Sequence, residues 1–173
     1  VALDAKLFSE IIRKLPDNDV IITSDSNNNT QIVCEKAKFT IMGQTGEDFP
    51  FLPFVEKDYQ VTISQFTLKE VIRQTIFSIA INDSNKMMTG ELFDINGGEL
   101  KVVSLDGHRI SIRKIGLKSE YPAKKVIVPG KTLTEISKIL TGGIDDNVDI
   151  YFTDNHILFE FEDTVVVSRL IEG

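Results

Sequence analysis

The sequence of 173 residues predicts an α+β fold built from a repeated strand-helix-strand-strand-strand unit, with helices on one face and antiparallel sheets on the other. Three observations predict it. Apolar residues at helical spacing occur in three separate stretches, each is followed by short alternating runs, and turn-forming residues fall between those runs.

The first copy opens with residues 6–15, where Leu7, Phe8, Ile11 and Leu15 share a helix face. Strand-like runs follow over residues 19–24, 30–35 and 38–42, with little strand left ahead of the helix. Pro16-Asp17-Asn18 stops this helix, and the polar run 24–30 reads as an exposed loop tip. The second copy begins with a strand over 59–64 and a helix from 67 to about 79, with Leu68, Val71, Ile72, Thr75 and Ile76 on one face. Its later strands are 90–95, 99–105 and 109–115. The third has a strand over 124–128, a helix over 132–140 with Leu133, Ile136 and Leu140 inward, and strands 147–153, 156–162 and 164–170. Gly142-Gly143 follows that helix. Asn96-Gly97, Asp106-Gly107 and Asp154-Asn155 lie between alternating runs, where tight hairpin turns belong.

Two prolines interrupt residues 47–54, which reads as a boundary, and the aromatic residues there predict a packed connector. Residues 1–55 are therefore expected to hold half of a domain with its connector, and residues 56–173 a complete domain of two copies. Val1 stands where an initiator Met would, so a piece of a longer chain is expected.

Composition narrows the function classes. Hydrophobic residues at 42% and charged residues at 26% fit a packed core rather than disorder. No apolar run approaches the roughly 18–20 residues that span a bilayer, and Val1-Ala2-Leu3-Asp4 does not begin a secretory signal. Cys34 is the single cysteine and lies in an alternating stretch, which suits a buried strand position and a reducing, cytoplasmic setting. His108 and His156 are far from it in sequence, so neither a metal cluster nor a cofactor is expected.

Net charge is −7, the wrong sign for a simple basic DNA-coating protein. The three helices run against that sign. Lys6, Arg13 and Lys14 outweigh Glu10; Lys69 and Arg73 outweigh Glu70; Lys131 and Lys138 outweigh Glu135. Together they carry +4, leaving −11 for the remainder. The repeats also align Lys6, Glu10 and Arg13 with Phe66, Glu70 and Arg73, and with Lys131, Glu135 and Lys138, all on the face opposite the apolar stripe. One helix alone reads as a solvated face with local ion pairs. Three together suggest a surface that meets phosphates without reading bases.

Several enzyme motifs are incomplete. Gly130-Lys131-Thr132 resembles the end of a phosphate-binding loop, but Lys125 stands where its first glycine belongs and Pro129 lacks the cradle N–H. Asp25, Asn27 and Asn29 lack the sixth-position glycine of a calcium loop. No nucleophile elbow or paired acid and base stands out. No catalytic residue is assigned, and a non-catalytic protein is expected.

Leu100-Lys101-Val102-Val103-Ser104-Leu105-Asp106-Gly107-His108-Arg109-Ile110-Ser111-Ile112-Arg113-Lys114 resembles the central-domain signature of bacterial sliding clamps, the beta subunits of DNA polymerase III. Val126-Ile127-Val128-Pro129-Gly130-Lys131 and Ser168-Arg169-Leu170-Ile171-Glu172-Gly173 resemble other parts of it, and Asp48-Phe49-Pro50-Phe51-Leu52-Pro53 resembles the connector after the family's first domain. The resemblance implies the DNA-clamp fold, with residues 1–55 the second half of domain 1 and residues 56–173 the central domain. It further implies a homodimeric ring around double-stranded DNA, with helices lining the hole, that serves as a processivity factor in DNA replication. Implied partners are the polymerase III alpha subunit, the clamp loader and repair proteins, which bind through short peptides.

By the same resemblance, Gly107, His108, Arg109 and Ile110 line the peptide pocket, with Leu105 and Met88 on its wall and Met87 nearby. The family often has a hydroxyl residue where Leu105 stands and an arginine where Asn85 stands. Without the resemblance, His108-Arg109 after Asp106-Gly107 is an ordinary exposed turn. Lys36, Lys38, Phe39 and Ile41 match dimer-interface positions on a ring-closing edge strand; by alternation alone, Phe39 and Ile41 read as a core-facing pair. A repeat-built protein-interaction module with no DNA role is the alternative reading.

Overall fold

The computed structural model describes residues 1–47, 49–81 and 84–173, so Asp48 of the connector motif lies outside the described residues. The chain forms two compact units, Val1–Leu52 and Pro53–Gly173.

In the first unit, Asp4 caps helix α1 (Ala5–Ile12) by accepting the Leu7 N–H at 2.7 Å. Strands β1 (Ile21–Ser24), β2 (Asn29–Cys34) and β3 (Ala37–Met42) form an antiparallel sheet in that order. Asp25 ties the β1–β2 loop by accepting from the backbones of Asn27 and Asn29 and from the Asn29 amide. Ile32, Cys34 and Ile41 are buried, yet α1 buries no residue fully: Phe8, Ile11 and Leu15 are half-covered and Leu7 is exposed. Ile21 and Ile22 on β1 are exposed as well.

Near the start of the second unit, Val55 packs with Tyr151, Leu158 and Val167, away from the main core. Phe49, Phe51 and Phe54 are exposed, so the aromatic residues of 47–54 do not pack as expected, and Val55 just beyond them is the residue that docks. Strand β4 (Gln60–Ser64) leads into helix α2 (Gln65–Thr75). Ser64 caps α2 through the Thr67 N–H at 3.2 Å, which starts the helix earlier than its apolar period suggests. The helix tightens into a 3₁₀ turn at Ile76–Ser78, and a second 3₁₀ turn spans Lys86–Thr89. Strands β5 (Gly90–Leu105) and β6 (Ile110–Pro129) make one long hairpin. Helix α3 (Gly130–Ile139) is followed by β7 (Asn147–Phe152), β8 (His156–Phe161) and β9 (Thr164–Arg169).

Two sequence readings need correction. The runs 90–95 and 99–105 are one strand, as are 109–115 and 124–128. Asn96-Gly97 is not a hairpin turn: the register shifts between Ile95, Gly97 and Glu99, and Gly97 takes a positive φ of 58° inside β5. A bulge demands the same left-handed backbone as a tight turn, so Asn-Gly serves either. Asp106-Gly107 and Asp154-Asn155 do separate paired strands, β5 from β6 and β7 from β8.

The two copies of the second unit exchange their first strands. β4 opens one copy but pairs with β7 of the other, giving the sheet order β4-β7-β8-β9. The end of β6 opens the later copy but pairs with the start of β5, from Gly90 opposite Pro129 to Ile95 opposite Lys124. One core results, with Leu68 and Ile72 from α2, Leu133 and Ile136 from α3, Phe93 from β5 and Phe159 from β8 all fully buried. Each such side chain contributes roughly 1.5–3 kcal/mol. The two helices lie side by side and antiparallel. Gln65 at the start of α2 accepts from the Thr141 N–H at 2.9 Å, and Lys69 donates to the Leu140 carbonyl at 2.8 Å. Gly130 allows close approach at the other end, where a Cβ would overlap Ile79 and stand 3.0 Å from the Thr89 carbonyl oxygen.

Candidate nucleic-acid face and apolar groove

The outward face of α2 and α3 carries two ion pairs at matching positions. Arg73 grips Glu70 with two donors, Nε at 2.8 Å and Nη2 at 2.7 Å, and Lys138 meets Glu135 at 2.8 Å. The Arg73 hydrogen bond holds the Glu70 carboxyl below its ordinary proton affinity, and Glu70 in return raises that of Arg73. Lys69 is half-buried because it caps the last turn of α3, satisfying a carbonyl that the helix leaves open. Lys131 is exposed and makes no ion pair among the described residues. In the first unit, Lys6, Arg13 and Lys14 on or just after α1 are likewise exposed and unpaired among the described residues. The seven predicted cations therefore divide into four that are unpaired and three that have internal partners.

Arg113, which the helix-based reading did not single out, also reaches this face. It stands opposite the buried Val102 on the β5–β6 hairpin. Its own strand period, Ser111 and Arg113, was the available signal.

An apolar groove of about 640 Å³ opens elsewhere in the second unit. Met87 and Met88 come from the second 3₁₀ turn, Leu92, Val103 and Leu105 from β5, and Val126 and Ile127 from β6. The closing segment, Leu170, Ile171, Glu172 and Gly173, forms another wall, held by pairing of Ile171 with Ile127. Lys125, Asp154 and Glu172 supply charge at the lining. Of the pocket residues expected from sequence, the groove brings together Met87, Met88 and Leu105. Gly107, His108, Arg109 and Ile110 are not in its lining. They form the adjacent turn, where the Asp106 carboxylate accepts the N–H groups of His108 and Arg109 and the Arg109 guanidinium at 2.9 Å. Those donors, His108 first, lower the proton affinity of Asp106. Ile110 pairs with Leu105 and so shares its side of the hairpin.

Strand β3 is an edge, bonded to β2 alone among the described strands. Lys36, Lys38 and Phe39 are exposed there, whereas Ile41 is buried opposite Thr30 and faces the unit's interior. Met42, unremarked in the sequence, is 83% exposed at the strand's end.

One buried group escaped the sequence reading altogether. Glu91 is fully buried beside Phe93, and neither carboxyl oxygen has a hydrogen-bond partner among the described residues. The neighbouring Thr75 hydroxyl is committed to the carbonyls of Val71 and Ile72. Burial pushes the Glu91 carboxyl up to about 7. Among the described residues there is no group of His, Cys, Asp and Glu able to hold a metal, and no helix long and apolar enough to cross a membrane.

Comparison with known proteins covers the chain end to end. Residues 1–53 match the family model for the N-terminal domain of the DNA polymerase III beta subunit, and residues 62–173 match that for its central domain. The beta sliding clamp of Staphylococcus epidermidis is 34% identical over 173 residues, all of this chain and 46% of that protein. That of Staphylococcus aureus is 35% identical over 173 residues, with the same coverage. A crystal structure of a putative DNA polymerase III beta subunit from Eubacterium rectale superposes with a TM-score of 0.93 at 67% identity, over 99% of this chain and 47% of that one. The sliding clamp from Bacillus subtilis gives 0.92 at 35% identity, over 99% and 45%. The chain thus spans about half the length of the relatives it matches.

Proposed function

The chain belongs to the DNA polymerase III beta-subunit family, and from that premise we propose that it is part of a ring-shaped processivity factor encircling duplex DNA in the cytoplasm. In this reading residues 1–55 are the second half of the first clamp domain and residues 56–173 the central domain. The open β1 edge supports the first assignment, because the matching strand β7 is covered by β4 in the second unit. The ring is a homodimer closed in part by β3, through Lys36, Lys38 and Phe39. It performs no chemistry of its own and tethers the polymerase alpha subunit, the clamp loader and repair proteins. The groove beside Met88 and Leu105, with its neighbouring turn from Gly107 to Ile110, forms part of the seat for their peptides.

The observation that carries this reading is the paired face of α2 and α3, which turns positive side chains outward in a chain of net charge −7. Cations near phosphates release counterions without reading sequence, which permits sliding, while an acidic remainder discourages binding to other DNA. Lys6, Arg13, Lys14 and Lys131 are the cations free to do this; Lys69, Arg73 and Lys138 mainly order the helices. Reversing those four charges to Glu in the complete subunit should abolish retention on nicked circular DNA and shorten primer extension to distributive lengths. Unchanged retention and extension would favour a protein-interaction module instead.

A further inference from the structure

The α2 side of the second unit holds two guanidinium groups and one carboxylate. Glu70 has committed both oxygens to Arg73, and Oε2 also accepts from Gln74 at 3.3 Å. Arg113 approaches the same carboxylate closely enough to help lower its proton affinity, yet it forms no ion pair among the described residues. Its direction follows from the hairpin. Arg113 stands opposite Val102 and Ser111 opposite Ser104, and directly opposed residues on antiparallel strands share a face. Val102 and Ser104 are buried beneath the helices, and the Ser111 hydroxyl meets that of Ser78 at 2.6 Å. Arg113 therefore projects on the helix-bearing side, just beyond the cover of α2, and is exposed.

We propose that Arg113, carried by strand β6, supplies the phosphate contact on the α2 side of this unit, while Arg73 is held by Glu70. Charge and geometry both favour the strand residue. The Glu70–Arg73 pair is neutral as a unit and the Lys69 ammonium is turned to the Leu140 carbonyl, which leaves Arg113 as the guanidinium without a partner among the described residues. Its planar donor fork is uncommitted and suits two oxygens of one phosphodiester. The ligand class is the sugar-phosphate backbone of duplex DNA, and the inference rests on the ring reading above.

The test uses the complete subunit and a fluorescent 30-base-pair duplex, with affinity followed by anisotropy across a salt series. R113Q should weaken binding about 3–10-fold at low salt and flatten the log–log salt slope by about one unit per Arg113 engaged. R113K should keep the slope and lose part of the affinity, since it retains charge without the fork. The double variant E70Q/R73Q, which removes the neutral pair, should change the slope by less than half as much as R113Q. Arg113 is excluded if R113Q leaves the slope intact, or if E70Q/R73Q flattens it as much. K131Q separates the two levels of argument. A flattened slope in K131Q with none in R113Q overturns the Arg113 assignment and leaves the ring reading standing. No salt-dependent duplex binding by the unaltered subunit overturns both.

Discussion

At the scale of single residues, what matters is which charges are already spent. In the sequence Lys69 and Arg73 read as DNA-facing cations and Arg109 as a residue of the peptide pocket. Folding commits them to the Leu140 carbonyl, to Glu70 and to Asp106 respectively. The partners of Arg73 and Arg109 lie three residues away and were legible; the partner of Lys69 is 71 residues away and was not. Glu91 was hidden for a similar reason, because a charged residue in an alternating strand does not announce which face it takes. Its folded proton affinity is raised, so its contribution to stability is complete below about pH 4.5 and is lost as pH rises toward 7. The loss amounts to about 3 kcal/mol. Glu91→Gln keeps the shape and removes the titration. The variant should be no more stable than the parent near pH 4.5, and increasingly more stable up to pH 8, by urea midpoints at each pH. A constant difference across that range would mean that Glu91 has the same proton affinity in the folded and the unfolded chain.

At the scale of elements, edges decide what the molecule can join. β3 presents one unpaired side, with Lys38 and Phe39 exposed on opposite faces of the strand. Unpaired backbone groups offer directional bonds, Phe39 adds apolar area, and Lys38 discourages pairing of the strand with its own copy. Replacing Lys38 by Glu and Phe39 by Ser in the complete subunit should therefore give a folded monomer by sedimentation, with an unchanged circular dichroism spectrum. A persistent dimer would remove β3 from the ring closure. Ile41 is buried in the unit's interior, the position that alternation alone suggested. The helices and most strands were legible because their apolar periods are strong and long. The continuous β5–β6 hairpin was not, because Asn96-Gly97 signals a positive φ without saying whether the chain reverses there or merely bulges.

At the scale of the whole molecule, the repeat was legible but the exchange of first strands was not, since a repeat specifies units without saying which sheet each strand enters. The exchange makes the two copies of the second unit mutually dependent. A chain ending at Gly143 keeps β4, α2, β5, β6 and α3, yet removes the partner of β4 and the whole of β7, β8 and β9. It should show no cooperative transition in urea by circular dichroism; a sigmoidal transition near the parent midpoint would mean that one copy folds alone. The same pairing has a consequence during synthesis. Ser64 of β4 awaits Asn147 and Gln60 awaits Tyr151, so 83 to 91 residues separate each from its partner. At about 5–20 residues per second, β4 emerges roughly 4–18 s before the strand that completes its sheet. Val61 and Ile63 must spend that interval without β7. The period in which this chain is most open to mispairing is therefore set by the pace of the ribosome, and slow codons between the two strands would lengthen it.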